Sequence, residues 1–234
     1  MEFTILMPCL NEAETVAACI REAQGCIDRL GLDAEILVAD NGSDDGSARI
    51  ARENGARVVC VPEKGYGAAL LGGIREAKGR YVIMGDCDGS YDFSRLDAFA
   101  DALRDGAALV VGDRFRGGIE KGAMPFSHRW GVPLLSFLAR LRFGTGVRDF
   151  HCGLRGFDRQ AALGLGLCCT GMEFATELIA RFAGTGCRIE QVPTVLRRDG
   201  RHGRSHLRPL RDGLRHLRFI LRGQAPGRGG RKTE

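Results

Sequence analysis

The first 112 residues alternate between two hydrophobic periods. Short apolar runs, typical of buried strands, occur at 3–8, 35–40, 57–61, 80–84 and 108–112. The segments between them have helical spacing, as in 12–30, where the apolar residues share one face. Strands that alternate with helices indicate parallel βαβ units. The pattern therefore predicts an α/β fold of three layers, α/β/α, with a mostly parallel central sheet.

The pattern changes after Gly112. The segment that follows is rich in glycine and arginine and has no regular apolar period, and 146–158 is again irregular and charged. Between and after these segments we predict helices at 130–142 and 173–184 and a strand at 187–196. We divide the chain into two halves of one domain, a helix and a disordered tail, at 1–112, 113–205, 206–222 and 223–234.

The charge is concentrated at one end of the chain. The whole chain carries +5, whereas residues 197–234 hold twelve Arg and Lys against three acids and leave −4 for the rest. Within this segment leucines recur at three- and four-residue steps, at Leu207, Leu210, Leu214, Leu217 and Leu221. Arginines follow the same steps one position later, at Arg208, Arg211, Arg215, Arg218 and Arg222.

A basic amphipathic helix of this kind at 206–222 is typical of contact with an anionic membrane surface. The alternative is a helix that packs on the domain and keeps its arginines in solvent. Nucleic acid is not expected as a partner, because Phe219 stands alone and no aromatic platform accompanies the arginines.

The cysteines and the chain start indicate a reduced, cytoplasmic protein. The nine cysteines are odd in number and include no C-x-x-C pair. The N-terminal MEFTILMPCLNE lacks the basic segment of a signal peptide, and no apolar run approaches the eighteen residues of a membrane span.

The stretch MGDCDGSYDF, at 84–93, places Asp86 and Asp88 directly after an apolar strand. The carboxyl ends of strands in open α/β sheets hold ligands, and Mg²⁺ or Mn²⁺ binds to one or two carboxylates together with substrate phosphates. A calcium loop fits less well, because Tyr91 stands where such a loop needs glycine. An acidic surface turn is the other alternative.

Two further motifs contain glycine and polar residues at the ends of predicted strands. In DNGSDDGS, at 40–47, Asp40 ends a strand and can bind a ligand, whereas the following residues suit a turn and a helix cap. GYGAAL, at 65–70, lacks the third glycine of a dinucleotide-binding loop, since Leu70 stands there. A dinucleotide site of the Rossmann type is therefore not expected.

Four motifs together resemble the successive motifs of family 2 glycosyltransferases, which have the GT-A fold. They are ILMPCLNE, VADNGSDDGS, EKGYGAALLGGIREAKGRYVIMGDCDGSYD and DFHCGLRGF. Within that family they are most similar to the branch of dolichyl-phosphate mannose synthases and polyprenyl-phosphate glucosyltransferases. The resemblance covers Phe3 to about Leu207 and implies a GT-A-like fold, with 1–112 as the nucleotide-sugar half and 113–205 as the acceptor half.

The resemblance implies roles for residues of the donor site. The metal, Mg²⁺ or Mn²⁺, would be bound mainly by Asp88, with Asp86 beside it facing the ribose or the sugar. Ser90 stands where the branch often has a glutamine ligand, so the chain departs from the pattern there. The remaining residues implied to contact the nucleotide sugar are Pro8, Leu10, Glu12, Asp40, Lys64 and Gly67.

The acceptor side follows from the same resemblance. Arg114 and Arg129 are candidates to hold the acceptor phosphate, since guanidinium groups bind phosphate bidentately. Asp149 and Glu173 match positions near the acceptor and the donor sugar. In GRSHL, at 203–207, His206 replaces the phosphate-binding lysine of a related motif, and Arg204 is the candidate substitute.

We therefore expect a metal-dependent, inverting hexosyltransferase that uses a UDP-glucose or GDP-mannose type donor and polyprenyl phosphate as acceptor. It would be cytoplasmic or peripheral at the inner face of the cell membrane. One alternative is a soluble glycosyltransferase that acts on a hydroxyl of a small metabolite or glycan, with Asp149 as its base. Another is an inactive membrane-surface scaffold with the same fold.

Overall fold

The computed structural model describes residues 1–201 and 209–222. Its strands are β1 Phe3–Cys9, β2 Ala34–Asp40, β3 Arg57–Cys60, β4 Tyr81–Met84, β5 Leu109–Asp113, β6 Arg155–Asp158 and β7 Ile189–Pro193. The helices that precede β6 are α1 Val16–Leu30, α2 Ser47–Glu53, α3 Tyr66–Glu76, α4 Asp97–Arg104, α5 Arg114–Gly117 and α6 Phe126–Phe143. Those that follow it are α7 Arg159–Gly164, α8 Phe174–Gly184 and α9 Pro209–Arg222.

All seven strands form one sheet, in the order β3-β2-β1-β4-β6-β5-β7. The first four are parallel, β5 and β7 are parallel, and β6 runs antiparallel to both of its neighbours. The expected mostly parallel sheet is thus confirmed, but the prediction that 146–158 is wholly irregular is wrong. Four residues that begin with a buried arginine give too short and too polar a pattern to predict a strand.

The sheet has a hydrophobic core on each face. Along β1, Phe3, Ile5 and Met7 face the core formed with α1 and α4, whereas Leu6 faces the core formed with α3 and α8. Alternate residues of a strand point to opposite faces, so each buried strand contributes to both cores. This arrangement confirms the predicted three layers.

Two helices begin later than the hydrophobic pattern predicted. The pattern placed a helix over 12–30, but α1 begins at Val16, because the amides of Thr15 and Val16 both bond to the carbonyl of Glu12 in a turn. Likewise α4 begins at Asp97, whereas the apolar pattern after the fourth strand predicts a helix over 93–104. Both corrections leave polar residues in the loops that follow strands, where ligands bind.

The C-terminal helix α9 packs on α6 and α8. Its buried residues are His216 and Ile220, whereas Leu214 and Leu221 of the predicted leucine stripe are exposed. Leu207, Arg208 and the tail at 223–234 lie outside the described residues. No helix within 1–201 or 209–222 is both long and apolar enough to cross a membrane.

Candidate functional site

Four acidic side chains meet at the carboxyl edge of the sheet. Glu12 follows β1, Asp40 ends β2, and the pair Asp86 and Asp88 follows β4. These strands are parallel neighbours, with Cys9 of β1 opposite Asp40 of β2, so their carboxyl ends lie side by side. The structure therefore brings together three of the sequence motifs that were interpreted as a donor site.

Arg201 lies between two of these carboxylates. Its Nη1 is 2.8 Å from Glu12 Oε1 and its Nη2 is 3.2 Å from Asp88 Oδ2, and it also pairs with Asp199. One guanidinium group thus compensates acidic groups from the loops after β1 and β4. Sequence reasoning missed Arg201, because it is one of many arginines in the basic C-terminal segment.

Residues 197–201 form a strap across the acidic loop. The amide of Arg197 donates to the carbonyl of Ser90 at 2.9 Å, and the amide of Gly200 donates to the carbonyl of Asp88 at 2.8 Å. The Arg197 guanidinium pairs with Glu22 and Asp92, at 2.8 and 2.5 Å. The strap holds Arg201 over the acids, and Asp92 serves to anchor it.

The acids near Arg201 fit a divalent cation. Oδ1 of Asp86 is buried and has no hydrogen-bond partner among the residues at 1–201 and 209–222. Burial and the neighbouring Asp88 raise the pKa of Asp86 to about 6. Burial also raises the pKa of Glu12 to about 7, although Arg201 opposes this effect. A dication would stabilise these carboxylates in their charged form.

The local backbone orients Asp88. Its Oδ1 accepts a hydrogen bond of 2.9 Å from the amide of Ser90, which leaves Oδ2 to face Arg201. Ser90 itself is buried. Two carboxylates that converge with substrate phosphates are a sufficient protein ligand set for Mg²⁺.

A second cluster of metal-ligating groups does not suit a metal. Ligand atoms of Cys168, Cys169 and Glu177 lie within 4.8 Å of one another. The Glu177 carboxylate already accepts hydrogen bonds from the amides of both cysteines, at 2.8 to 3.2 Å. Burial and this carboxylate raise the pKa of the Cys169 thiol, and metals bind the thiolate. The cluster therefore fixes the loop before α8.

Asn41 organises the predicted nucleotide loops, and sequence reasoning missed it. Its side chain donates to the carbonyls of Val61 and Glu63, and its Oδ1 accepts from the amide of Gly65 at 2.8 Å. The ammonium group of Lys64 donates to the carbonyl of Asn41 at 2.6 Å. The loop after β2 and the loop before α3 are thus tied together.

The other predicted donor residues lie around these loops. Both oxygens of the Asp40 carboxylate accept from the backbone of the following turn, at 3.2 to 3.4 Å. A Cβ atom on Gly67 would lie 2.2 Å from the carbonyl oxygen of Cys169, so only glycine allows this close approach. Pro8 and Leu10, at the end of β1, are half-buried.

Arg114 and Asp149 bind each other. Nε and Nη2 of Arg114 lie 2.7 and 2.8 Å from the two carboxylate oxygens of Asp149. Asp149 is completely buried and Arg114 is 7% exposed. We expected Arg114 to hold the acceptor phosphate and Asp149 to contact the sugar or act as a base. In the structure each group is occupied by the other, and the roles of both residues toward the acceptor stay predictions.

The remaining predicted acceptor residues are spread over three regions. Arg129 lies on α6 and is exposed. Glu173, directly before α8, forms a bidentate ion pair with Arg215 of α9, with N–O distances of 2.6 and 2.7 Å. Arg204 and His206 lie outside the described residues. Arg215 of α9 therefore holds Glu173, which was predicted to lie near the acceptor and the donor sugar.

Two buried histidines join α9 to the acceptor motif. The rings of His151 and His216 lie 4.5 Å apart, and His216 Nδ1 is 2.7 Å from Thr176 Oγ1. Burial lowers the pKa of His216 to about 4, since a charged ring would lose its hydration there, and it also lowers the pKa of His151.

Lowering the pH from 7 to 5 is expected to cost about 2 kcal/mol of stability through His216. In the unfolded chain a histidine has a pKa near 6.5, so the unfolded state binds the proton first. The stabilisation is present above pH 6.5 and is lost as the pH falls towards 4. Urea unfolding at both pH values should show a smaller loss for His216→Gln than for the parent. Equal losses would contradict the prediction.

Comparison with known proteins agrees with this geometry. The family model described as glycosyl transferase family 2 matches residues 4–165. The low-salt glycan biosynthesis hexosyltransferase Agl6 of Haloferax volcanii is 38% identical over 226 residues, which are 96% of this chain and 54% of Agl6. The chain thus spans about half the length of that relative. A dolichyl-phosphate hexose transferase of the same organism is 31% identical over 91% of this chain and 89% of its own.

Solved structures share the fold. Glucosyl-3-phosphoglycerate synthase from Mycobacterium tuberculosis, in complex with Mn²⁺ and UDP, has a TM-score of 0.71 at 24% identity, over 94% of this chain and 77% of that one. Mannosyl-3-phosphoglycerate synthase from Rubrobacter xylanophilus has a TM-score of 0.73 at 21% identity, over 94% and 72%. The expected GT-A-like architecture is confirmed by these likenesses, and the match over 4–165 shows that the chain belongs to glycosyl transferase family 2.

Proposed function

We propose that this protein transfers a hexose from a nucleotide diphosphate sugar to a polyprenyl phosphate. The observation that carries the proposal is the convergence of Glu12, Asp86 and Asp88 at the carboxyl edge of parallel strands. The printed names of relatives support the acceptor class, among them the dolichyl-phosphate hexose transferase. An undecaprenyl-phosphate 4-deoxy-4-formamido-L-arabinose transferase of Pseudomonas fluorescens, 28% identical over 93% of this chain, agrees with it.

The donor binds at the edge where β1, β2 and β4 end. The loops after β2 and before α3, joined by Asn41, hold the nucleotide next to Asp40 and Lys64. The diphosphate then lies by Asp88, next to the guanidinium group of Arg201. Arg201 is therefore placed to pair with the diphosphate as well as with the carboxylates.

Asp88, with Asp86 beside it, holds Mg²⁺ or Mn²⁺ in this proposal. A bound dication would neutralise negative charge on the departing diphosphate. The Mn²⁺ and UDP in the glucosyl-3-phosphoglycerate synthase complex support the use of a divalent metal. The donor proposed for this chain is of the UDP-glucose or the GDP-mannose type. The carboxylate of Asp86, beside Asp88, would add a second negative charge next to the cation.

An acceptor phosphate needs no strong general base. Its oxygen is already anionic near neutral pH, so the protein contributes positioning and charge stabilisation. The buried pair of Arg114 and Asp149 fits this requirement, since it shapes the acceptor side without offering a free base. Transfer by single displacement would invert the sugar configuration.

A second candidate function is transfer to a small phosphorylated metabolite. The solved structures of similar fold favour it, since one of them is the Mycobacterium tuberculosis synthase in complex with phosphoglyceric acid, with a TM-score of 0.72. Its sequence identity of 23% supports the fold and leaves the acceptor to experiment. That reaction proceeds at a hydroxyl group and needs a carboxylate base.

Radiolabelled UDP-glucose and GDP-mannose, each with Mg²⁺ or Mn²⁺, should separate the two functions. We expect label to enter the organic phase when polyprenyl phosphate is supplied in detergent, and chelation of the metal to abolish the transfer. Label that stays in the aqueous phase and is transferred to 3-phosphoglycerate would overturn the lipid acceptor and support the second candidate.

A further inference from the structure

Helix α6 exposes large apolar side chains on one face. Trp130 is 71% exposed and Leu141 is 69% exposed, and Leu134, Phe137 and Leu138 are also open to solvent. The opposite face of the helix is buried, with Ser136 and Ala139 turned towards the domain. A cluster of large apolar side chains that point away from the core marks an interaction surface.

Helix α9 extends this face into a continuous surface. The rings of Phe143 and Phe219 lie 6.1 Å apart, and a groove of about 320 Å³ runs between the two helices. The groove is lined by Leu138, Leu141, Arg142, Ile220 and Leu221. With the exposed Leu214, these residues and the exposed apolar residues of α6 make up what we name the α6–α9 surface.

The charges on the two helices are almost all positive. Residues 126–143 contain no Asp or Glu, and α9 contains one acid, Asp212. The exposed arginines are Arg129, Arg140, Arg142, Arg211, Arg218 and Arg222. Exposed apolar side chains among arginines match the interface of an anionic bilayer, where the apolar groups enter the acyl region and the arginines meet phosphates.

We propose that the α6–α9 surface lies on an anionic phospholipid bilayer, with α6 as the helix that enters it. Helix α9 is fixed to the domain by His216 and Ile220 and contributes arginines and two leucines. This differs from the sequence prediction, in which the segment at 206–222 alone contacted the membrane. Trp130 suits the headgroup level, where tryptophan is enriched.

The surface lies directly behind the acceptor motif. Ser136, on the buried face of α6, contacts His151 Nδ1 at 3.4 Å and accepts from the amide of Phe150 at 3.3 Å. Phe150 and His151 directly follow Asp149 in the chain. The purpose of the surface, supply of a lipid acceptor, rests on the proposed function, whereas bilayer binding can be measured without donor, acceptor or turnover.

The chain contains one tryptophan, so Trp130 reports on this surface directly. Tryptophan emission of the full chain should shift to shorter wavelength when vesicles of phosphatidylcholine with phosphatidylglycerol are added. Vesicles of phosphatidylcholine alone should give a much weaker shift, and salt should weaken the binding. An unchanged emission with anionic vesicles would overturn the proposal.

Leu134→Gln with Leu141→Gln keeps the reporter and removes two apolar contacts. We expect at least ~10-fold weaker partition into anionic vesicles. Leu163→Gln, on α7, is the matched control, because Leu163 is an exposed leucine outside the surface, and it should bind as the parent does. Equal binding by the parent, the double variant and the control would overturn the assignment to α6.

Three outcomes separate bilayer binding from self-association and from the proposed transferase function. A shift in tryptophan emission that depends on protein concentration in the absence of vesicles would show that a second copy covers the surface, and would overturn the bilayer assignment. Transfer to polyprenyl phosphate in detergent without vesicle binding would also overturn it, while the proposed function stood. Vesicle binding without any transfer would support the surface and remove the proposed function.

Discussion

Asp88→Asn is expected to lower kcat for sugar transfer by about 100-fold to 1000-fold, or about 3–4 kcal/mol of transition-state stabilisation. The substitution keeps the size of the side chain and an oxygen that can accept from the Ser90 amide. It removes the negative charge that faces Arg201 and that would hold the cation. The folded structure should persist, because Arg201 keeps Glu12 and Asp199 as partners.

Asp92→Asn is the matched control, since it alters an acid of the same motif. Asp92 accepts from the amide and hydroxyl of Ser94 and pairs with Arg197, so its role is to hold the loop and the strap. We expect it to lower the melting temperature more than Asp88→Asn does, while kcat stays within about tenfold of the parent. Steady-state kinetics and thermal unfolding of both variants provide the comparison.

A titration with Mn²⁺ tests whether Asp88→Asn lowers kcat through weaker metal binding. The free ion is measured by its electron spin resonance signal. Asp88→Asn should weaken binding of Mn²⁺ in the presence of UDP, and Asp92→Asn should not. Parent-like Mn²⁺ binding and parent-like kcat in Asp88→Asn would show that the metal is held elsewhere or is not used.

The strands and the donor edge could be predicted from the sequence, for a physical reason. Buried parallel strands require continuous apolar runs, and a ligand at their carboxyl edge requires polar residues directly after them. The positions of Asp40, Asp86 and Asp88 at this edge could therefore be predicted from the apolar runs that precede them. β6 could not be predicted, because its first residue, Arg155, is a buried arginine that donates hydrogen bonds to three backbone carbonyls, at Phe150, Cys152 and Ala175.

Contacts between distant segments could not be predicted from one sequence. Arg201 meets Glu12 across 189 positions, and Arg215 meets Glu173 across 42. An arginine that pairs with a distant acid has the same local pattern as an exposed one. For the same reason the sequence alone could not show that the histidine and the isoleucine of α9 pack on the domain. The pairing of Arg114 with Asp149 belongs to this class.

Asp149→Asn is expected to destabilise the protein by about 3–5 kcal/mol, because it leaves the buried Arg114 without its counter-charge. The melting temperature should fall by about 10 °C. Asparagine retains the shape of the side chain but only one acceptor oxygen, whereas the amides of Arg114 and His151 bond to different oxygens of Asp149, so the loss includes one of these hydrogen bonds as well as the charge. Asp105→Asn, on the exposed turn after α4, is the control and should unfold as the parent does.

The same variant separates a positioning acid from a general base. If Asp149 only positions other groups, the kcat of Asp149→Asn should stay within about tenfold of the parent, and its pH–rate profile should be unchanged. Both are measured at a temperature where the variant is fully folded. If Asp149 is a base, the variant should lose about 100-fold or more in kcat and the acidic limb of that profile, measured at the same temperature. Replacing the pair together, by Arg114→Met with Asp149→Leu, should recover part of the stability, because no buried charge remains unpaired. A double variant that is less stable than Asp149→Asn would mean that the ion pair itself, and not the avoidance of a lone buried charge, holds the acceptor side in place.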